Sequence, residues 1–370
     1  MLVKAGELMK VCVIGTRGFP YIEGGVEKHC ESLYPLFGDD VQIVVYRRKP
    51  YVKGKKYYKN ISFIDLPSTK IKGIETVIHS LLATIYTMYL KPDIVHYHNI
   101  GPALFSPLLK LQRIPIVVTY HSPNYEHKKW GIFAKRLLLF SEKITIKYSD
   151  ILIFVNRYQM DKYPDKIKKK AFYIPNGITK PCKSINQNYL EEIGVKPGKY
   201  ILSVGRITQE KGFDTLIKAY RLSKCKNYKL VIAGGVEFEN KYMQELKELS
   251  QELDVIFTGY IYGDNLAQVY GNAALYVLAS YNEGFPLVLL EAMSYELDVL
   301  VSDIPATHLV ELQCDDYFAK GDYGDLSEKI CRKLASPHKR KYNLKEYDWN
   351  HTAKQTLTIF KKLERKKSKN

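Results

Sequence analysis

The chain has 370 residues, enough for two domains with separate cores, and its 46% hydrophobic and 26% charged content excludes wholesale disorder. Its six cysteines form no C-x-x-C pair, which argues against a zinc ribbon or a disulfide framework and suits a reducing cytoplasm. The net charge of +17 is uneven: residues 1–180 carry 29 Lys/Arg against 14 Asp/Glu and the rest 27 against 25, so an anionic partner, membrane surface or nucleic acid, is expected on the first half.

The N-terminal stretch to Lys10 lacks the apolar core of a secretory leader, and Met9 is an alternative start. Lys10 to Gly15 reads as a first parallel strand. A glycine-rich loop runs to Gly25, and Val26, Cys30, Leu33, Tyr34 and Phe37 follow at helical spacing. Strand, glycine loop and helix suggest backbone N–H groups offered to an anion, with a tight turn and no ligand as the alternative. The spacing is not G-x-G-x-x-G, so no dinucleotide site is expected.

Val41 to Tyr46 is a second strand, and the basic, tyrosine-rich stretch Tyr51 to Lys59 suits nucleic acid or a headgroup interface, with a solvated loop the plainer reading. Ile61 to Leu66 is a strand, Ile74 to Leu90 an amphipathic helix, and Pro92 to His98 strand-like. His121 stands just past the strand Ile116 to Tyr120, where ligands bind in open α/β sheets; an exposed loop histidine is the plainer reading. A helix from Ile132 to Tyr148 and a strand from Asp150 to Val155 precede turn chemistry at Ile174 to Ile178, where the domain break is placed. No segment holds the roughly 20 apolar residues that span a bilayer.

The second half starts its own alternation, with strands at Tyr200 to Gly205, Tyr228 to Gly235, Val255 to Tyr260, Ala274 to Leu278 and Val299 to Ser302. Two doubly wound α/β domains are therefore expected, 1–178 and 179–350, with a last helix at 351–370 returning to the first. Arg206 and Lys211 follow one strand end; Glu283 and Glu291 follow another, with Pro286 placed to open a helix between them. Carboxylates accept from hydroxyls, a helix N-terminus attracts phosphate, and an Arg fork with a Lys can neutralise a diphosphate. Hydroxyls beside phosphate describe a nucleotide sugar, although surface charges have the same spacing. No Asp-x-Asp, G-x-S-x-G or G-x-x-x-x-G-K-[ST] occurs, which disfavours a metal-held diphosphate, a hydrolase and a P-loop.

These motifs in this order resemble a retaining GT-B glycosyltransferase of glycosyltransferase family 4. Gly15 to Pro20 with Gly24-Gly25, Thr119-Tyr120-His121 with Lys129-Trp130-Gly131, Ile174 to Gly177, Ser203 to Arg206 with Lys211-Gly212, and the E-x7-E pair Glu283/Glu291 carry the resemblance. It implies two Rossmann-like domains facing across a cleft, with Arg206 and Lys211 on the donor diphosphate. It also implies Glu291 on the ribose, Glu283 on a sugar hydroxyl, and loop N–H groups of Gly284, Phe285 and Leu287 assisting. Gly24 and Gly25 would present N–H near the phosphates, His121 would face the transferred sugar, and Gly259 and Tyr260 would lie near the base. No metal or other cofactor is expected. Within the family the glycine loop and the His121 region look most like bacterial surface-polysaccharide enzymes, rhamnosyl- and glucosyltransferases among them. Ser122-Pro123 after His121, and Glu23 before the double glycine, depart from that pattern.

The expected protein is thus a glycosyltransferase peripheral on the cytoplasmic face of a membrane. Its partners would be a nucleotide-sugar donor, a saccharide or lipid-linked acceptor and an anionic surface, with no nucleic acid. A sugar-nucleotide epimerase or phosphorylase on the same fold, and a basic nucleic-acid-binding protein, are the alternatives.

Overall fold

A computed structural model describes residues 8–22, 24–54, 56–71, 73–122, 131–181, 184, 186–236 and 241–367. Two compact units form, Met1–Gly177 with Glu346–Asn370, and Ile178–Lys345. Residues 346–350, read from sequence as the end of the second domain, therefore lie in the first unit.

The first unit holds strands β1 (Met9–Ile14), β2 (Val41–Arg48), β3 (Tyr57–Tyr58), β4 (Ile61–Leu66), β5 (Ile94–His98), β6 (Ile116–Tyr120), β7 (Ile151–Phe154) and β8 (Ala171–Tyr173). They form one sheet in the order β3-β4-β2-β1-β5-β6-β7-β8, parallel except for β3. Such strands are covered on both faces, so they read as continuous apolar runs, and β1 is buried from Val11 to Ile14. Helices α1 (Gly25–Leu33), α2 (Ile74–Leu90), α3 (Ser106–Lys110), α4 (Ile132–Tyr148), α5 (Arg157–Asp161) and α6 (Asp165–Lys168) connect them.

Alternation along β1 divides the core. Val11 and Val13 pack with Leu33 and Phe37 and with Phe360 of the C-terminal helix, whereas Cys12 and Ile14 pack with Ala83 of α2 and Leu109 of α3. Thr352 on that C-terminal helix donates its hydroxyl to the carbonyl of Pro175 at 2.9 Å, fixing the helix to the end of the first sheet.

The second unit has helices α7 (Asn188–Glu192), α8 (Phe213–Ser223), α9 (Lys241–Leu249), α10 (Gly263–Gly271), α11 (Leu287–Ser294) and α12 (Tyr323–Ala335), while α13 (Trp349–Lys367) belongs to the first. Its strands β9 (Tyr200–Val204), β10 (Lys229–Ala233), β11 (Val255–Gly259), β12 (Leu275–Leu278), β13 (Val299–Ser302) and β14 (Tyr317–Phe318) are all parallel, in the order β11-β10-β9-β12-β13-β14.

Both sheets reverse their winding at one place, between β1 and β5 in the first and between β9 and β12 in the second. Helices leave such a point in opposite directions and open a crevice beyond the strands' carboxyl ends. The two double windings expected from sequence are present. Short edge strands are what the sequence reading lacked. Tyr57–Tyr58, read as solvated loop, pairs antiparallel with Ile61 and Ser62 around a turn at Lys59, whose φ is +52°.

Candidate functional site

In the second unit the crevice is built on the ends of β9 and β12. The chain leaves β9 through Gly205, exposes Arg206 and enters a 3-10 turn, Gln209–Lys211. Gly212 ends that turn at φ +64°, and a Cβ there would stand 2.1 Å from the carbonyl oxygen of Ala279, just past β12. This close approach brings Lys211 beside the loop after β12. Lys211 Nζ lies 2.5 Å from Glu283 Oε1, which also accepts from the Ser280 hydroxyl at 2.7 Å. The Tyr281 N–H donates to the Glu210 carbonyl at 2.8 Å, and Tyr281 and Thr215 share a hydroxyl–hydroxyl bond of 2.7 Å. Gly212→Ala is expected to cost about 2 kcal/mol or more, from the left-handed backbone and the clash together, read as a lowered thermal midpoint.

Pro286 is the N-cap of α11, and Glu291 stands on that helix with its Oε2 accepting from Tyr270 OH at 3.1 Å. The Tyr270 ring stacks on Tyr295 at 5.4 Å, which fixes the hydroxyl. Gly284, Phe285 and Leu287 are half-buried around this turn. The Leu287 N–H donates to the Phe285 carbonyl at 3.0 Å, so it is not the open donor the sequence reading assumed. Gly259 ends β11, its carbonyl accepts from the Gly234 N–H at 2.9 Å, and the Tyr260 ring covers Gly235. Among the described residues Arg206 has no ion-pair partner. An exposed Arg fork, a Lys–Glu pair and a second carboxylate therefore share one crest of strand ends, a set able to hold phosphate oxygens and sugar hydroxyls.

In the first unit the loop after β1 folds over α1. Buried Glu27 accepts from the Arg17 N–H at 3.0 Å and pairs with Arg17 Nε at 3.4 Å. Gly24, at φ +148°, is the N-cap of α1, and a Cβ there would sit 2.0 Å from Glu27 Oε2. A Cβ on Gly25 would meet nothing within 4 Å, so its neighbourhood is open to a ligand. Glu23 lies outside the described residues, as do Lys129 and Trp130 of the motif that follows His121.

His121 is not an exposed loop side chain: it is 8% exposed and belongs to a buried polar chain that the sequence reading missed. His121 Nε2 is 2.9 Å from His98 Nδ1, and His98 Nε2 is 2.6 Å from Tyr34 OH. Tyr34 OH is in turn 2.8 Å from His96 Nδ1, and His96 Nε2 is 2.7 Å from Thr119 Oγ1. His29 on α1 packs edge-on against His121 at 4.8 Å and donates from Nδ1 to Asn176 Oδ1 at 2.6 Å. Burial, reinforced by the neighbouring imidazoles, holds His98 and His121 well below the ordinary histidine range.

All the rings are therefore neutral at pH 7, and each ring along the chain donates through one nitrogen and accepts through the other. Tyr34 donates to one histidine and accepts from the other. The direction of the chain thus decides whether His121 Nδ1 is a donor or an acceptor. His121 can orient a hydroxyl, but it brings no positive charge. The available signal was His96-Tyr97-His98 on one strand, since alternate residues share a face.

The family description "Glycosyl transferases group 1" matches residues 187–348, and "Glycosyltransferase Family 4" matches residues 23–180. The chain belongs to the family 4 type of GT-B glycosyltransferases. It is similar to an uncharacterized glycosyltransferase of Methanocaldococcus jannaschii, at 26% identity over 95% of this chain and 98% of that one. It is also similar to the O-antigen chain mannosyltransferase B of Escherichia coli, at 27% identity over 72% and 74%. Among solved structures, the Anabaena HepE protein in complex with UDP and glucose superposes with a TM-score of 0.71 at 15% identity, over 98% of this chain and 99% of that one. That last likeness shows the fold. The sequence-predicted residues of this glycosyltransferase thus form two groups, Arg206, Lys211, Gly259, Tyr260, Gly284, Phe285, Leu287, Glu283 and Glu291 in the second unit, and Gly24, Gly25 and His121 in the first.

Proposed function

We propose that this enzyme moves a sugar from a nucleotide-diphosphate donor to a saccharide carried on a lipid, with retention of configuration and without a metal, in building a surface polysaccharide or glycoconjugate. The observation that carries the reading is the Lys211–Glu283 pair beside exposed Arg206, at the winding reversal of the second sheet. Arg206 and Lys211 take the negative charge that develops on the departing diphosphate, which is electrostatic stabilisation of the transition state. Glu283 holds a hydroxyl of the sugar and Glu291 the ribose. In the first unit, Gly24 and Gly25 offer N–H groups to phosphate, and neutral His121 orients the transferred sugar.

The acceptor oxygen bonds to the anomeric carbon on the face from which the diphosphate leaves. The carbon–oxygen bond to the diphosphate breaks, and a diphosphate oxygen takes the acceptor's proton. The similarity to an O-antigen chain mannosyltransferase supports a polysaccharide product. The charge of residues 1–180 supports a peripheral place on the cytoplasmic face of an anionic membrane, at about 1 kcal/mol per near-surface cation.

The test is thermal stability with UDP, GDP, ADP and dTDP and their sugars, in the presence of EDTA. Ligand at about 100 times its dissociation constant adds roughly 2.7 kcal/mol, which moves the midpoint by several degrees. A shift with one nucleotide family, unchanged by EDTA, is expected. No shift with any of them removes the donor site, and a shift that EDTA abolishes removes the metal-free reading.

A further inference from the structure

Two helices of the first unit bury small polar side chains and expose large apolar ones, although Leu82, Met88 and Leu90 of α2 and Ile146 of α4 still pack against the core. An amphipathic surface helix normally buries its apolar stripe and shows polar side chains to water. In α2 the fully buried positions are His79, Ser80, Ala83, Thr84 and Thr87. The two threonine hydroxyls are satisfied inside, Thr84 on the Ser80 carbonyl at 2.7 Å and Thr87 on the Ala83 carbonyl at 2.7 Å and Tyr46 OH at 3.0 Å. The outer face carries Ile78, Ile85, Tyr86 and Tyr89, the last 81% exposed.

In α4 the buried positions are Ser141 and Thr145, both bonded to the Ile100 carbonyl, while Phe133 is 89% exposed and Leu137 and Phe140 follow it outward at i+4 and i+7. The two helices are neighbours. A Cβ on Gly101 would meet Leu138 of α4 at 3.6 Å and Thr76 of α2 at 3.9 Å, and α3 lies between them with Leu111 exposed at its end. Of 21 exposed large apolar side chains among the described residues, ten lie on α2 and α4, so the apolar surface is concentrated rather than scattered.

The charges around this face have one sign. Arg136, Lys143 and Lys147 continue the outer stripe of α4, and Lys91 and Arg113 edge the ends of α2 and α3. The acids of the two helices point elsewhere. Glu142 accepts from Tyr120 OH at 2.8 Å and from Tyr163 OH at 2.5 Å. Glu75 accepts from Tyr51 OH at 2.5 Å and pairs with Arg48 at 3.4 Å. A second copy of this chain would meet like charge with like charge. An anionic bilayer meets the cations with opposite charge and takes the apolar side chains below its headgroups. Tyr86 and Tyr89 suit the boundary between the two. No helix among the described residues is long and apolar enough to cross a membrane, so contact of these helices with a bilayer would be interfacial.

We propose that the α2–α4 face is a membrane-insertion surface, with Phe133, Leu137 and Phe140 and with Ile85, Tyr86 and Tyr89 entering the headgroup–acyl boundary of an anionic bilayer. The inference rests on the peripheral location proposed above, which used charge alone, and adds a hydrophobic component that salt does not screen.

The experiment is flotation of the full chain with phosphatidylcholine vesicles and with vesicles of phosphatidylcholine and phosphatidylglycerol in equal parts, at low and high salt. The variants are Phe133→Ser/Leu137→Ser/Phe140→Ser and, independently, Ile85→Ser/Tyr89→Ser, with thermal midpoint and sedimentation measured for each. Wild type is expected to float with the anionic vesicles and to keep part of that binding at high salt. Each variant is expected to lose about tenfold or more in partition with its fold and monomeric state unchanged. Variants that bind as wild type does, with all binding lost at high salt, overturn insertion and leave the electrostatic reading standing. Absence of wild-type binding to either vesicle overturns both. A wild-type dimer that the substitutions turn into monomer, without loss of vesicle binding, assigns the face to self-association and overturns the proposal.

Discussion

Lys211→Ala is expected to lower kcat by about a hundredfold to a thousandfold with a much smaller change in KM for the donor, measured as initial rates of sugar transfer. The size follows from when the charge is needed. The donor diphosphate is already charged when it binds, and Arg206 can share in holding it. A further negative charge appears as the sugar–oxygen bond breaks, and the ammonium of a lysine is the group that can move onto it. Local geometry sets where the Lys211 side chain lies. Its stem runs over Gly205, and its Nζ rests 2.5 Å from Glu283 Oε1.

The side chains of Lys211 and Glu283 are only 18% and 10% exposed, so removing one leaves the other nearly dry. Lys211→Ala and Glu283→Ala are each expected to lower stability by about 1–3 kcal/mol, less than a fully buried pair because Ser280 still donates to Glu283. A cycle of Lys211→Met, Glu283→Gln and the double variant separates the pair's contribution to folding from its contribution to kcat. A kcat for Lys211→Ala within a few-fold of wild type would remove the leaving-group role.

How much of this was legible depends on whether a residue's role follows from its own strand end or from a partner far along the chain. Arg206, Lys211, Glu283 and Glu291 follow apolar runs that end in turn chemistry, so their place beyond the carboxyl edge of a parallel sheet could be read from the alternation alone. The salt bridge between Lys211 and Glu283 could not, because it depends on Gly212 meeting the backbone of Ala279. His121 was legible as a strand-end residue and illegible as a buried one. Its partners His98, Tyr34, His96 and Thr119 come from β5, β6 and the turn after α1, and only the β1–β5–β6 pairing puts them side by side.

The helix Ile74–Leu90 has the bounds read from the sequence, and its polar residues divide between the two faces. Thr84 and Thr87 go inward because Tyr97 and Tyr46 present hydroxyls to them, which periodicity does not register. The edge strands Tyr57–Tyr58 and Tyr317–Phe318 are too short for any period to show.

Stability is expected to fall steeply as pH drops below 6.5, because the first unit buries imidazoles that must stay neutral. Burial lowers His29 to about 4, against the hydrogen bond it donates to Asn176, which works the other way. It lowers His96 to about 3, helped by His29, and His79 to about 3, helped by Arg48. Each of these groups has a folded pKa below its unfolded value, so below pH 6.5 the unfolded chain binds protons that the folded chain refuses. The stability is fully present above pH 6.5 and is lost progressively until the pH passes the folded values near 4 and 3. At about 1.4 kcal/mol per unit, His29 alone accounts for roughly 3 kcal/mol across that window, and His96 and His79 for at least as much each. Their sum rivals the whole stability of an ordinary domain, so the first unit is expected to unfold before pH 4 is reached.

The two units then separate on a pH scale. Of the strongly depressed histidines, all lie in the first unit, and His308 and His338 of the second are exposed. Calorimetry from pH 7.5 to 4.5 is expected to show one transition moving down sharply and a second moving much less. His96→Gln, which keeps a donor and an acceptor but no titration, is expected to flatten the first transition's dependence on pH even if it lowers stability at pH 7.5. Two transitions that shift in parallel, or a slope unchanged by His96→Gln, would mean that the buried histidines are not what acid attacks.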